Sequence, residues 1–191
     1  MDINKIYLSA NQLLEDSFQL AENIRQSGFK PDFVIGIWRG GAPVGVYVQE
    51  YLAFVGITTE HFSIRTRSYI GINQQAKVEV QGLDYLISQI NSGANILLVD
   101  DVFDTGRTIE TILAELTALS KPVNINTYNI KVACPWYKPR RNVTTLSPDF
   151  YLHETSDWLV FPHELVGLTM EEIRAGKGQQ GEWLAQTTSR I

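Results

Sequence analysis

The sequence predicts an α/β fold, a central parallel sheet flanked by helices with a small C-terminal hood, and three observations predict it. Ile96-Leu97-Leu98-Val99 is an apolar run bounded upstream by Gly93. It is too short for a buried helix and has the character of a strand buried on both faces. Ile109, Ile112, Leu113, Leu116 and Leu119 then fall at helical spacing, so the segment between is a strand-to-helix loop. The same order occurs earlier, over Phe33–Trp38 and residues 43–54. Strands that alternate with helices pair in parallel.

In chain order, Ser9 with Gln12 three residues on has the form of a capping box. The helix it opens carries Leu13, Leu14, Phe18, Ala21 and Ile24, and Gly28 stops it. Strand Phe33–Trp38 comes next, then the loop Arg39-Gly40-Gly41 and a helix over 43–54, where Pro43 is tolerated in the first turn. Residues 57–64 are expected as a second strand, and 68–82, polar and poorly periodic, as a mobile excursion. A short helix over 83–90 leads to the strand at 96–99, its helix, and a strand near 125–133. After Cys134 prolines, aromatics and short β-like runs at 150–153 and 158–161 appear. Residues 134–175 are therefore expected as a hood within a single domain over 1–191, and the Gly- and Gln-rich tail from Gly176 as loosely held.

At 191 residues the chain can bury a sizeable core. A net charge of −5 argues against a general nucleic-acid binder, and no apolar run has the length of a membrane span. No signal-peptide pattern opens the chain, and one cysteine, Cys134, permits no intrachain disulfide; both fit the cytoplasm. His61, His153 and His163 lack metal-ligand spacing and are expected to be structural or on the surface.

The loop after the second apolar run is Asp100-Asp101-Val102-Phe103-Asp104-Thr105-Gly106-Arg107-Thr108. Ligands of open α/β sheets bind outside the carboxyl ends of the strands. A helix that starts in such a loop offers free N–H groups to an anion. Thr105 and Thr108 add hydroxyl donors, Arg107 adds charge, and Gly106 admits close backbone approach. Asp100 and Asp101 would repel a phosphate; as acceptors they suit vicinal sugar hydroxyls or a divalent cation, or else a helix cap and a solvated turn. The order suits a sugar phosphate. Arg39-Gly40-Gly41 repeats it with one cation and two glycines, whose N–H groups can converge on a second anion. Arg65 and Arg67, with Ser68-Tyr69, could close over a bound anion or form the solvent face of an edge strand.

The run from Ile96 to Thr108 resembles the phosphoribosyl-pyrophosphate (PRPP) signature of the type I phosphoribosyltransferases. The resemblance implies that family's fold. It implies that Asp100 and Asp101 hold the ribose 2′- and 3′-hydroxyls and that Asp104, Thr105, Gly106, Arg107 and Thr108 hold the 5′-phosphate. Arg39-Gly40-Gly41 resembles the family's pyrophosphate loop, which implies a cis Trp38–Arg39 peptide. Ser68-Tyr69 resembles the catalytic flexible loop of the 6-oxopurine branch. By position Lys138 corresponds to the lysine that contacts purine O6, Trp158 to the stacking aromatic, and Leu159 to the residue whose backbone reads the base edge. Lys138 also belongs to a basic group with Arg140 and Arg141, and Trp158 is equally a core candidate. Glu164 lies near a late acid of the bacterial xanthine-guanine enzymes, which implies an approach to the pyrophosphate or to Mg²⁺, near which Asp100 and Asp101 also stand; a rim carboxylate is the other reading of Glu164. Val160 and Cys134-Pro135-Trp136 depart from the family pattern.

The resemblance thus implies purine salvage: phosphoribosyl transfer from PRPP to a 6-oxopurine, with Mg²⁺ as cofactor and a homodimer or homotetramer as the assembly. Catalysis is assigned to Asp104, Arg39, Ser68 and Tyr69, with Asp104 taking the base's N7 proton. The alternatives are an enzyme for a non-purine base, a PRPP-binding regulator without catalysis, and a generic nucleotide-binding domain; the last lacks its G-x-G-x-x-G loop.

Overall fold

The two apolar runs are neighbouring parallel strands in the computed structural model, which describes residues 4–70, 76–91, 93–119 and 129–188. The elements are β1 (Lys5–Tyr7), α1 (Ala10–Gln26), β2 (Phe33–Trp38), α2 (Gly41–Phe54), β3 (Glu60–Ile70), β4 (Ala76–Gln81), α3 (Leu83–Gln89), β5 (Asn95–Val99), β6 (Val102–Phe103), α4 (Arg107–Leu119), β7 (Asn129–Ala133), β8 (Trp136–Tyr137), β9 (His153–Glu154), β10 (Trp158–Val160), α5 (Met170–Gly176) and α6 (Gly178–Thr188). They fall into two compact units. One holds residues 14–156; the other holds the chain up to Leu13 together with that from Asp157 on.

In the larger unit the sheet order is β4-β3-β2-β5-β7, parallel except for β4, which runs antiparallel to β3. Phe33 lies beside Ile96, Gly36 beside Val99, and Val99 beside Ala133. The loops after β2 and β5 therefore leave the same sheet edge. Side chains alternate across the sheet. Ile35, Ile37, Ile96 and Leu98 join a core with Leu83, Leu86, Ile112 and Leu116 of α3 and α4. The intervening Val34, Leu97 and Val99 are also buried, as are Val44, Val48 and Leu52 of α2, which packs on β2 and β5. Each such aliphatic side chain contributes about 1.5–3 kcal/mol on burial. The apolar spacing of 109–119 resolves as expected at Ile109, Ile112 and Leu116, whereas Leu119 is exposed.

Several boundaries differ from the sequence expectation. The second strand starts at Glu60 and runs to Ile70, and β4 pairs back on it from Arg65↔Gln81 to Ile70↔Ala76. The segment 68–82 is thus a two-stranded arm continued by a helix, with 71–75 outside the described residues. Backbone pairing between the two strands makes this arm, and the polarity of either strand alone does not reveal it. The strand near 125–133 is described from Asn129. Of the residues expected as a hood, 134–156 belong to the larger unit and those from Asp157 on to the smaller. Within the larger unit β6, β8 and β9 make a three-stranded parallel sheet, and Phe103 meets Tyr137 edge-on at 5.5 Å.

In the smaller unit β1 pairs in parallel with β10, Lys5 beside Trp158 and Tyr7 beside Val160. Asn4 donates to Asp157 at 2.9 Å, and Lys5 pairs with Glu172. Thr169 and Glu172 form a capping box at the start of α5. Of the tail expected to be loose, Gly178–Thr188 is helix α6, packed on α5, and 189–191 lie outside the described residues. Among the described residues no helix is long and apolar enough to cross a membrane.

Candidate active site at the carboxyl edge of the sheet

β5 ends in the acid pair. Asp101 is buried, and Asp100 accepts the N–H of Asp101 at 3.0 Å. Burial, and then the charge of Asp101, push the Asp100 carboxyl well above its ordinary range, against the lowering effect of the Asp101 and Gly41 backbone N–H groups. The pair continues into a cavity of 220 Å³ lined by Asp100, Asp101, Asp104, Thr105, Gly106, Thr108 and Cys134, among others. Burial also pushes the Cys134 thiol far up, which leaves it a poor nucleophile.

The glycine loop lies directly against this pair. The Trp38–Arg39 peptide is cis. A Cβ on Gly40 would fall 2.0 Å from Asp101 Oδ2, and one on Gly41 would fall 2.2 Å from the Val99 carbonyl oxygen. Only a bare backbone fits here. Arg39 and Trp38 are exposed beside it, and Arg65 of β3 lies next to Trp38 in register. Ser68 and Tyr69 sit farther along β3, opposite Val78 and Lys77.

On the far side the segment 138–144 encloses the acidic loop. Gly106 has φ +80°, and its missing Cβ would meet Thr144 Oγ1 at 2.4 Å and Asn142 Oδ1 at 2.8 Å. Thr105 Oγ1 accepts the Arg107 N–H at 3.4 Å where α4 begins. Lys138 is buried, and its Nζ stands 3.4 Å from Asp104 Oδ2. Arg141 Nε donates to Asp104 Oδ1 at 2.6 Å. Lys138 and Arg141 thus part company with Arg140: two members of the expected surface basic group are paired to the acidic loop. The role of Arg141 has no local sequence signal beyond its distance of three residues from Lys138.

Trp158 and Leu159 lie on β10 of the smaller unit, Trp158 half-exposed and Leu159 buried. Glu164 turns back on its own loop, accepting the Phe161 N–H at 3.1 Å, and the Phe161 carbonyl accepts from Lys177. His153 meets Asp16 at 3.1 Å, and His163 stacks on Phe161. Among the described residues no three His, Cys, Asp or Glu side chains gather as a metal site.

Residues 4–166 match the family described as phosphoribosyl transferase domain. Hypoxanthine-guanine phosphoribosyltransferase of Lactococcus lactis is 27% identical over 174 residues, covering 89% of this chain and 85% of that protein. A purine phosphoribosyltransferase of Pyrococcus horikoshii superposes with a TM-score of 0.66 at 29% identity, covering 87% of this chain and 98% of that one. A Neisseria gonorrhoeae protein solved with bound ppGpp has a TM-score of 0.71 at 22% identity, covering 98% and 99%, and shares the fold.

Proposed function

The chain belongs to the type I phosphoribosyltransferases, and from that premise we propose that it transfers the 5-phosphoribosyl group of PRPP to a 6-oxopurine in purine salvage. One observation carries the choice of base. Lys138 Nζ and the Asp104 carboxylate stand side by side, 3.4 Å apart. A 6-oxopurine presents an acceptor, O6, beside a donor, N7–H, on one edge. An ammonium next to a carboxylate is the complement of that edge. A 6-aminopurine offers Lys138 a donor instead and is rejected by an unpaired contact.

In this reading Thr105, Gly106, Arg107 and Thr108 hold the 5′-phosphate at the start of α4, where N–H groups and the helix dipole favour an anion. Arg39, Gly40 and Gly41 hold the pyrophosphate. Asp100 and Asp101 take the ribose hydroxyls. The base nitrogen N9 attacks C1′, the bond from C1′ to the pyrophosphate oxygen breaks, and Asp104 accepts the proton from N7. Ser68 and Tyr69 on the β3–β4 arm close over the leaving group, Trp158 stacks on the base, and the Leu159 backbone reads its edge. The products are a nucleoside 5′-monophosphate and pyrophosphate.

Two adjacent carboxylates fit Mg²⁺, which takes hard oxygen ligands and usually one or two carboxylates beside substrate phosphates. Asp100 and Asp101 would hold it, and the ion bound there would neutralise pyrophosphate charge; Glu164 is proposed only as an acid that approaches the ion or the pyrophosphate. A single cysteine, buried, agrees with the cytoplasm, and a homodimer or homotetramer is the proposed assembly.

The test is pyrophosphate release from PRPP and Mg²⁺ with hypoxanthine, guanine, xanthine, adenine and uracil in turn. Release with one or more of the first three supports the reading. Release with uracil alone sinks it, and binding of PRPP without release for any base points to a sensor.

A further inference from the structure

The segment from Lys138 to Thr144 is built onto the acidic loop by its backbone. The Lys138 N–H donates to Phe103 O at 2.9 Å and the Val143 N–H to Thr105 O at 3.1 Å, so the two bonds bracket Asp104. Between them Arg141 N and Asn142 N both donate to Lys138 O, at 3.0 and 3.2 Å. This turn delivers two cations to one carboxylate, one per oxygen.

The two contacts differ in kind. The Lys138 side chain is 6% exposed and its contact is long, at 3.4 Å. Its ammonium has three donors and keeps capacity for another acceptor. The Arg141 side chain is 49% exposed, its contact is 2.6 Å, and a guanidinium does not lose its charge. Among the described residues these two are the cations paired with Asp104. Without the guanidinium, Asp104 would close on the remaining cation, and a tight Lys138–Asp104 pair would satisfy each other instead of a ligand.

We propose that Arg141 is a positioning residue that holds the Asp104 carboxylate off Lys138, leaving Lys138 a donor for O6 and Asp104 an acceptor for N7–H of the same base. This rests on the 6-oxopurine reading above. Arg141→Gln keeps much of the side chain's length and removes its charge. The kcat/KM for the base falls on the order of 10- to 100-fold, the scale of a misplaced catalytic group. KM for PRPP, held by other loops, stays within about two-fold, and Arg141→Lys recovers part of the loss by supplying a charge.

A second readout does not need turnover. In ¹⁵N-edited spectra of the full chain, one arginine Nε–H resonance is protected from exchange, is missing in Arg141→Gln, and loses its protection in Asp104→Asn. Absence of that resonance overturns the proposal even if the protein is active. So does an unchanged kcat/KM for the base in Arg141→Gln, or an Arg141→Lys variant no better than Arg141→Gln. A protected resonance in a wild-type chain that releases no pyrophosphate with any 6-oxopurine overturns the functional reading, and the positioning role with it, while the pairing itself stands.

Discussion

The loops after β2 and β5 leave the same edge of one sheet and each opens a helix, yet they are built from opposite materials. The loop after β2 has shed its side chains: at Gly40 and Gly41 a single methyl would lie 2.0 and 2.2 Å from atoms of its neighbour. The loop after β5 is dense with side chains, three carboxylates and two threonines, and spends one glycine, Gly106, on a left-handed turn. The first can offer a ligand only N–H groups and the flanking Arg39. The second sorts its carboxylates by surroundings. Asp100 is pushed toward its neutral form by burial and by Asp101, and Asp104 is given two cations. One loop acts through its absence of bulk and the other through divided charge, and each depends on the other for its shape.

The largest effect is expected where charge does the chemistry. Asp104→Asn should lower kcat by about 10²–10⁴-fold, the usual share of a general base, with little change in KM for PRPP. Steady-state kinetics decide it, and unchanged turnover would remove the general-base role and narrow the difference between the loops. Next come the missing side chains. Gly41→Ala forces its methyl onto the Val99 carbonyl and the Asp100 backbone, which cannot swing away. A loss of ~3 kcal/mol or more is expected, roughly 6–12 °C in melting temperature for a chain of this size. Gly40→Ala meets a side chain, Asp101, and should cost less stability while disturbing PRPP binding. Equal losses in the two variants would erase the distinction between backbone and side-chain neighbours.

Gly106→Ala tests the second loop's one glycine. Its φ of +80° and the nearby Thr144 hydroxyl predict a loss of about 1–3 kcal/mol and a raised KM for PRPP. The smallest effect is electrostatic. The Asp100 carboxyl is held above 3.8, so the folded chain keeps a proton that the unfolded chain has lost. The stability this group contributes is whole below pH 3.8 and is lost as the pH climbs through the raised folded-state value. Without PRPP or Mg²⁺, Asp100→Asn should therefore melt above the wild type at neutral pH, with the gap closing toward acid. A gap that widens toward acid would reverse the sign of the burial effect.

Much of this edge was legible from local pattern. β2 and β5 follow from continuous apolar runs because both their faces are buried, and α2 and α4 because each helix buries one stripe of its own. What escaped depends on partners distant in sequence. Arg141 looks like a solvated cation until Asp104, 37 residues back, is brought beneath it. The β3–β4 arm owes its order to cross-strand pairing. In α6, Gly181 lowers helix propensity, yet a Cβ there would sit 2.2 Å from the Ile173 carbonyl oxygen of α5, so the glycine serves packing. β1 is three residues long and pairs with β10, so no local period marks it.

The pairing of β1 with β10 also has a consequence in time. On the ribosome Asn4 is made 153 residues before its partner Asp157. At about 5–20 residues per second that is an interval of roughly 8–30 s. Throughout it the opening strand has an unpaired edge, of the kind that recruits foreign strands. Lys5, within that strand, puts a charge on the edge while it waits for β10.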